Sequence, residues 1–237
     1  MEISKNTEYT LLEDYRYERK YRPERLNYIE VKMIVLGSDA FFRKIYKPRT
    51  VNNIYLDSPE LECFYANSMG HSERNKFRIR WYGNTIGKIS GAVFEVKQKE
   101  AYRGIKQSFF LPEFELEKAF NSKFCFNFLK SAGIPEAVMD QISGFEPVML
   151  NSYNREYFRD ITGNYRLTID SRIRYYKINA GFNHYKEFIE DPGIVVELKY
   201  SDKYNDYATH IANTLPFRLT RNSKYVDGML MLYDLNL

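Results

Sequence analysis

The stretches ERNKFRIRWYG (residues 73–83) and VFEVKQK (residues 93–99) decide how the rest of the chain is interpreted. In both stretches aromatic and aliphatic residues alternate with charged ones, which is typical of β-strands. Successive side chains of a strand point to opposite faces, so each stretch gathers its charges on one side. The charged sets are Lys76, Arg78 and Arg80 in the first strand and Glu95, Lys97 and Lys99 in the second. Such a face is a phosphate site if it lines a closed space, and a solvated surface if it faces bulk water.

The composition predicts a folded, β-rich globular protein. The chain has 237 residues, of which 44% are hydrophobic and 16% aromatic, enough for a sizeable core and for half-buried strands. The length fits one large domain or two small ones. The net charge of +4 permits an anionic ligand without requiring one.

The compartment follows from missing signals in the sequence. No apolar run approaches the roughly 20 residues that cross a bilayer, and the N-terminus is too polar for a secretory signal. The chain is therefore expected to be cytoplasmic. Cys63 and Cys125 are far apart and form no CxxC pair, so they are expected to be structural thiols. His71, His184 and His210 share no motif that would indicate a ligand or a general base.

Periodicity divides the remaining chain into strands with a charged face and helices with an apolar face. Strands are predicted at residues 13–21, 51–57, 73–83, 93–99, 105–111, 147–159, 165–177 and 194–200. Helices are predicted at residues 24–36, 59–70, 204–215 and 228–233, and within residues 112–144. Phe77, Ile79 and Trp81 should pack against helices, because they alternate with the cations of their strand.

One carboxylate lies where burial would be costly. Glu197 and Lys199 share a face of a strand whose other face is apolar, and burying such a pair costs free energy unless each charge is paired or bound. An open sheet would leave its charged face wet, whereas a closed sheet would make a tunnel lined with Arg and Lys at lower effective dielectric. Periodicity alone leaves both alternatives open, since isolated surface charges are common.

A resemblance distinguishes between these alternatives. The chain resembles the VTC domain, the polyphosphate polymerase domain of the vacuolar transporter chaperone family, within the triphosphate tunnel metalloenzyme superfamily. The fragments that carry the resemblance are YERK (17–20), VNNIYLD (51–57), KFRIRWYG (76–83), FEVK (94–97), YNR (153–155), YRLTID (165–170), VELKY (196–200) and SKY (223–225). Each fragment is short, but they follow one another in the order of the family and span nearly the whole chain.

The resemblance implies a single α+β domain over residues 1–237. Its core would be a closed antiparallel β-barrel of about eight strands, with helices packed outside and phosphates inside. It implies a catalytic set of cations, namely Arg78, Arg80, Lys97, Arg155 and Arg166. It also implies a substrate-binding set, namely Lys20, Lys106, Tyr153, Arg221, Ser223 and Lys224. Glu197 would hold Mn²⁺ or Mg²⁺. Arg221 departs from the pattern, since the resemblance predicts Lys there.

The activity that the resemblance implies is a metal-dependent phosphotransferase. A polyphosphate polymerase would transfer the γ-phosphate of ATP to a growing inorganic polyphosphate chain, so that ATP and polyphosphate are the expected partners. An inorganic or nucleoside triphosphatase would use the same tunnel with water as nucleophile. A non-catalytic polyphosphate-binding module is a further alternative. No nucleic acid ligand is expected, although a basic nucleic-acid-binding surface is a further alternative to the enzyme. A separate membrane protein could recruit the chain to a membrane.

Overall fold

The computed structural model describes residues 7–10, 16–100, 103–117, 120–179, 183 and 185–235. Its longer strands are β2 (Arg16–Tyr21), β3 (Arg43–Asp57), β4 (Arg74–Tyr82), β6 (Val93–Glu100), β7 (Arg103–Phe110), β9 (Glu146–Arg159), β10 (Arg166–Lys177) and β12 (Val195–Ser201). Four short strands are β1 (Thr7–Thr10), β5 (Gly87–Ile89), β8 (Phe114–Leu116) and β11 (Ile189–Asp191). The helices are α1 (Tyr28–Leu36), α2 (Glu62–Ser68), α3 (Ser122–Ser131), α4 (Glu136–Gln141), α5 (Asn205–Thr214) and α6 (Lys224–Tyr233).

Among the described residues, ten antiparallel strands form one sheet, in the order β1-β7-β6-β4-β3-β9-β10-β12-β2, with β11 beside β10. The sheet is strongly curled, so that Lys20 near one edge and Lys106 near the other line one cavity. The expectation of a closed barrel is wrong: within the described residues the edge strands β1 and β2 do not pair with each other. Closure needs continuous pairing around the barrel at a fixed stagger, and within the described residues β1 pairs only with β7. The sheet is a half-barrel.

The convex face of the sheet carries the hydrophobic core. Phe77, Ile79 and Trp81 are fully buried there, as the alternation of β4 predicts. The Phe77 ring meets Phe145, and the Trp81 ring meets Phe114, both edge to face. Helices α2, α3, α4 and α6 contribute to the cluster that contains these residues, whereas α1 and α5 cover a second cluster on β10 and β12.

Helix α6 departs from the expectation that all helices lie outside. The Tyr225 ring stacks on Tyr55 at 4.8 Å between centroids, and Tyr55 lines the cavity. Gly228 lies against Met149 and Tyr175, where an added Cβ would be 2.3 Å and 2.4 Å from their side-chain atoms. Met149 is directly opposite Tyr55 in the register, so α6 packs on the concave side. The missing side chain of Gly228 permits this close approach.

Element boundaries differ from the sequence predictions where polar residues obscure the pattern. The first helix begins four residues late because Asn27 forms a capping box with Glu30. Strand β3 begins at Arg43 rather than at residue 51, since its first half is polar and contains Pro48. Phe114–Leu116, predicted as helical, is a strand paired with β5. Strands β1, β5 and β11 were not predicted, and residues 13–15 of the first predicted strand lie outside the described residues.

The two cysteines are buried and form no disulfide, in agreement with structural thiols. Burial raises the pKa of Cys125 to about 12, so this thiol stays protonated and unreactive at neutral pH. In the described part of the chain, no helix is long and apolar enough to span a membrane.

Candidate functional site

The concave face of the sheet encloses a cavity of about 950 Å³. Basic side chains dominate its lining, and most come from strands. They are Lys20, Arg74, Lys76, Arg78, Arg80, Lys97, Lys99, Lys106, Arg155, Lys199 and Lys224. The carboxylates of the lining are Glu18, Glu197 and Asp202. Because the excess of positive charge is concentrated in a concave space, the cavity is suited to a polyanion.

One wall of the cavity, formed by β4, β6 and β7, is organised by Glu95. The guanidinium of Arg78 donates a hydrogen bond from Nε to Glu95 Oε2 at 2.6 Å, and its Nη2 forms an ion pair with the same oxygen at 2.5 Å. Lys106 Nζ lies 2.5 Å from Glu95 Oε1, and Arg80 Nη1 lies 3.8 Å from Oε2. Burial raises the pKa of Glu95, but Arg78 and Arg80 outweigh it and hold that pKa well below its ordinary value. An ionised Glu95 therefore fixes three cations at the cavity surface.

Arg80 is also held from a neighbouring strand. Its Nε donates to Asn53 Oδ1 at 2.7 Å, and Asn53 Nδ2 donates to Asn151 Oδ1 at 2.7 Å. Both amides are fully buried. The hydrogen bonds restrict the rotamers of Arg80, so part of the ordering cost is met before a ligand arrives.

The opposite wall, formed by β9, β10, β12 and β2, contains a second charge network. Asp170 is fully buried and accepts two hydrogen bonds from Arg155, at 2.6 Å and 2.7 Å. Lys224 Nζ lies 2.6 Å from Asp170 Oδ2. Burial raises the pKa of Asp170, but Arg155 and Lys224 outweigh it and lower that pKa. Asp170 is therefore the permanent counter-ion that orients these two cations.

Glu197 lies beside that network and contacts four cations. Its carboxylate oxygens are 3.2 Å from Lys199, 3.3 Å from Arg155, 3.8 Å from Lys224 and 3.9 Å from Lys20. Burial raises the pKa of Glu197, but Lys199 and then Arg155 outweigh it and lower that pKa strongly. None of the four contacts is as short as those of Asp170, so Glu197 is the carboxylate better able to exchange partners.

Two lysines of the cavity differ from the rest. Lys76 and Lys97 are directly opposite each other on β4 and β6, and neither forms an ion pair with a carboxylate of the described residues. Burial, followed by the fields of Lys20 and Arg78, lowers the pKa of Lys76 to about 7. Arg78, followed by burial, lowers the pKa of Lys97 strongly, although water reaches its side chain in the cavity. A bound polyanion would supply the missing counter-charge.

Helix α6 begins at the cavity. Ser223 is its N-cap, and Lys76 Nζ donates to Ser223 Oγ at 2.9 Å. The amide end of a helix carries partial positive charge, which adds to that of the cations. Tyr153 lies between Lys224 and Arg155, whose charged groups are 4.8 Å and 5.3 Å from its ring centroid. Burial raises the pKa of Tyr153, but Arg155 and Arg80 outweigh it, so that the pKa is lowered.

Most of the residues named from the sequence meet in this cavity. Those that line it are Lys20, Arg78, Arg80, Lys97, Lys106, Tyr153, Arg155, Glu197, Ser223 and Lys224. Arg166 does not line it: this residue is exposed at the start of β10, opposite Arg159 and Lys199. Arg221 is exposed as well and lies beside Gly70. Arg166 is on the face of β10 that points toward the cavity, but it lies at the rim of the cavity. Arg221 precedes α6, the helix whose first residue, Lys224, enters the cavity.

The sequence prediction missed several lining or supporting residues. Lys76, Glu95 and Lys99 were on the predicted charged faces but were not assigned to the site. Asp170 is four residues after Arg166 in the fragment YRLTID, so both lie on the same face of the strand, and the two-residue period of β10 could have identified Asp170. Neither His71 nor His210 lines the cavity, and His184 lies outside the described residues.

The donor set can be tested against a divalent cation. Within the described residues, no group of three or more His, Cys, Asp or Glu side chains is arranged to hold a metal ion. Mg²⁺, however, is commonly held by one or two carboxylates together with phosphate oxygens and water, and Mn²⁺ accepts the same hard oxygen ligands. Glu197 fits such a cation if it enters together with phosphate.

The curled antiparallel sheet, with cations converging on its concave face, is a fold that this chain shares with solved structures. Two solved structures show the same fold. One is the PH1819 protein from Pyrococcus horikoshii OT3, with a TM-score of 0.50, 13% identity, and coverage of 92% of this chain and 98% of that chain. The other is HpAC1 from Hippeastrum, described as an adenylyl cyclase candidate with a dominant triphosphatase activity, with a TM-score of 0.50, 15% identity, and coverage of 88% and 92%.

The chain belongs to the VTC domain family, whose model matches residues 15–233. The resemblance found in the sequence fragments is thereby confirmed. No curated protein sequence matches this chain significantly. The functional roles of the individual cavity residues stay predictions.

Proposed function

We propose that this protein is a polyphosphate polymerase that transfers the γ-phosphate of ATP to the end of an inorganic polyphosphate chain. The observation that supports this proposal is the cavity, where cations line opposite walls and Lys76 and Lys97 lack a carboxylate partner within the described residues. The lining cations outnumber the nearby carboxylates, and a ligand with one negative charge would leave most of this excess positive charge uncompensated. A chain of phosphates supplies charge along the whole length of the cavity.

The proposed reaction is an in-line phosphoryl transfer. A terminal oxygen of the polyphosphate attacks the γ-phosphorus of ATP, the bond between that phosphorus and the bridging oxygen breaks, and ADP leaves with the electron pair. Arg78 and Arg80 bind and orient the transferred group from one wall, while Arg155 and Lys224 do so from the other. Catalysis of this type depends on alignment and charge neutralisation, so that no histidine is required in the cavity.

Glu197 would hold Mn²⁺ or Mg²⁺ in this scheme. The cation supplies charge stabilisation of the phosphoryl oxygens when it is bound. The chain's own contribution is to keep the Glu197 carboxylate ionised through Lys199 and Arg155, at 3.2 Å and 3.3 Å.

Hydrolysis of triphosphate is the second candidate. The same cavity would bind the substrate, and water would replace the polyphosphate end as nucleophile. The fold shared with HpAC1, described as having a dominant triphosphatase activity, favours this candidate over binding without turnover. A polyphosphate-binding module without catalysis is a third alternative, because cations alone can hold the polymer.

A product assay distinguishes these candidates. Purified protein is incubated with ATP and Mn²⁺, and separately with tripolyphosphate and Mn²⁺. Long polymer from ATP supports the polymerase, orthophosphate from either substrate supports the triphosphatase, and binding without either product supports the module. Glu197→Gln should abolish turnover, whereas the exposed Glu60→Gln is a matched control that should not change it.

Two expectations on partners belong to this proposal. A nucleic acid ligand would show binding to DNA or RNA that weakens steeply with salt and needs no divalent cation, and we expect neither. A separate membrane protein that receives the polymer is proposed as a partner and can be sought by co-purification.

A further inference from the structure

Three tyrosines surround one arginine at the end of the cavity beyond Arg155. The guanidinium carbon of Arg49 lies 5.5 Å from the ring centroids of Tyr46 and Tyr82, and 5.9 Å from that of Tyr157. Tyr46 and Tyr157 also meet edge to face, with ring centroids 5.7 Å apart. Arg49, Tyr46, Tyr82 and Tyr157 are called the tyrosine–arginine cluster below.

The register places this cluster on the same face of the sheet as the cavity. Arg49 on β3 is directly opposite Arg155 on β9, and Arg155 lines the cavity. Tyr157 follows Arg155 by two residues, so its side chain points to the same side. Tyr82 is opposite Val51, which is itself opposite the cavity residue Tyr153. The cluster therefore continues the cationic lining along β3, β4 and β9.

The cluster also presents free aromatic surface. Tyr46 is 51% exposed and Tyr82 is 48% exposed, although both rings contact Arg49. A cluster that served only to hold the sheet together would be expected to bury most of this area, since ring burial provides the larger part of aromatic stabilisation. Exposed rings beside a guanidinium plane instead resemble the surfaces on which nucleobases stack.

We propose that the tyrosine–arginine cluster binds the base of a nucleotide whose phosphates occupy the cavity; this inference rests on the proposed use of ATP. Two residues of a strand extend about 7 Å, so that a sugar fits between a phosphate at Arg155 and a base at Tyr157. Stacking depends on the π-face that every base shares, so the cluster should accept different purines.

The inference is tested with two ligands that carry equal numbers of phosphates. Binding of ADP and of pyrophosphate is measured by titration calorimetry for the wild type and for Tyr82→Ala, Tyr46→Ala and Tyr82→Phe. Loss of the Tyr82 ring should weaken ADP binding by about 10-fold, since base stacking on one aromatic side chain accounts for a change of this size. Pyrophosphate binding should change by less than about twofold. Tyr82→Phe keeps the ring and should bind ADP like the wild type.

Tyr207→Ala is a matched control, because Tyr207 is 52% exposed on α5, which covers the convex face, and does not line the cavity. It should leave the affinities for ADP and pyrophosphate unchanged. If Tyr82→Ala and Tyr46→Ala both weaken the two ligands equally, or weaken neither, the base site is refuted while the proposed function stands. If the wild type binds neither ligand and produces no polymer, the proposed function falls as well. Circular dichroism identifies an unfolded variant, and the other alanine variant then decides the outcome.

Discussion

Asp170→Asn is the substitution for which the structure gives the clearest expected magnitude. The Asp170 carboxylate is fully buried, accepts two hydrogen bonds from Arg155 and contacts Lys224 at 2.6 Å. An amide in its place would leave the two cations with Glu197 as their nearest carboxylate, at 3.3 Å and 3.8 Å. Removing one partner of a buried charge pair costs about 3–5 kcal/mol of unfolding free energy. At about 2–4 °C per kcal/mol for a domain of this size, Tm should fall by roughly 6–20 °C.

The pH of the measurement follows from the direction of the pKa shift. The pKa of Asp170 in the folded protein is lower than its ordinary value of 3.8, because Arg155 and Lys224 outweigh burial. The stabilisation is therefore complete above pH 3.8 and is lost as the pH falls through the lower folded pKa. A thermal melt at neutral pH measures the full effect.

The effect of tripolyphosphate on Tm tests whether the Asp170 carboxylate, absent in the variant, is part of a phosphate-binding site. In the variant, Arg155 and Lys224 no longer share their charge with a carboxylate, so the polyanion should raise Tm by more than it does in the wild type. Asp191→Asn is the matched control: Asp191 is also buried and contacts Arg22 at 2.5 Å, but Arg22 does not line the cavity, whereas Arg155 and Lys224 do. It should lower Tm while keeping the wild-type response to tripolyphosphate. An unchanged Tm in Asp170→Asn, or equal responses in both variants, would refute the reasoning.

Three further predictions follow from the cavity walls and the core. Arg80→Ala should reduce turnover by the equivalent of about 2–4 kcal/mol in the transition state, measured as polymer yield at saturating ATP, and a yield within about threefold of wild type would contradict it. The pKa of Lys76 is about 7 in the folded protein and 10.5 ordinarily. Between pH 7 and pH 10.5 the unfolded chain therefore binds one more proton than the folded protein, so the free energy of unfolding without ligand should rise with pH in this range. A bound polyanion raises that pKa, so affinity for tripolyphosphate should fall over the same window, and Lys76→Met should flatten both pH profiles. Trp81→Ala should cost about 3–5 kcal/mol in urea unfolding followed by circular dichroism, since Trp81 is buried on the convex face, and a loss below about 1 kcal/mol would argue against that packing.

The sequence by itself determined the division of the strands into a charged and an apolar face. Alternation is a local property with a period of two residues, which is why Arg78 and Arg80 on one side, and Phe77 and Trp81 on the other, were assigned correctly. The resemblance added the family and supplied candidates such as Tyr153 and Lys224, which no period could have selected.

Only the tertiary structure decided which charges share a space and how each is compensated. The link between Asp170, Arg155 and Lys224 joins two strands and a helix. Glu95 collects three cations from two strands, β4 and β7. Burial and the distance to a counter-ion set these energies, and both depend on how strongly the sheet curls. The same curvature accounts for two of the differences from the sequence prediction: the sheet does not close within the described residues, and Arg166 lies at the rim rather than in the cavity lining.

The stretch at residues 73–83 illustrates the boundary between the two kinds of information. Its period places Lys76, Arg78 and Arg80 on one face of β4, but it cannot distinguish their surroundings. In the fold, Arg78 donates to Glu95 and Arg80 donates to Asn53. Among the described residues, the one hydrogen-bond partner of the Lys76 side chain is the Ser223 hydroxyl, at 2.9 Å. Three basic residues on the same face of one strand thus have different electrostatic surroundings, because their partners come from strands and a helix elsewhere in the chain.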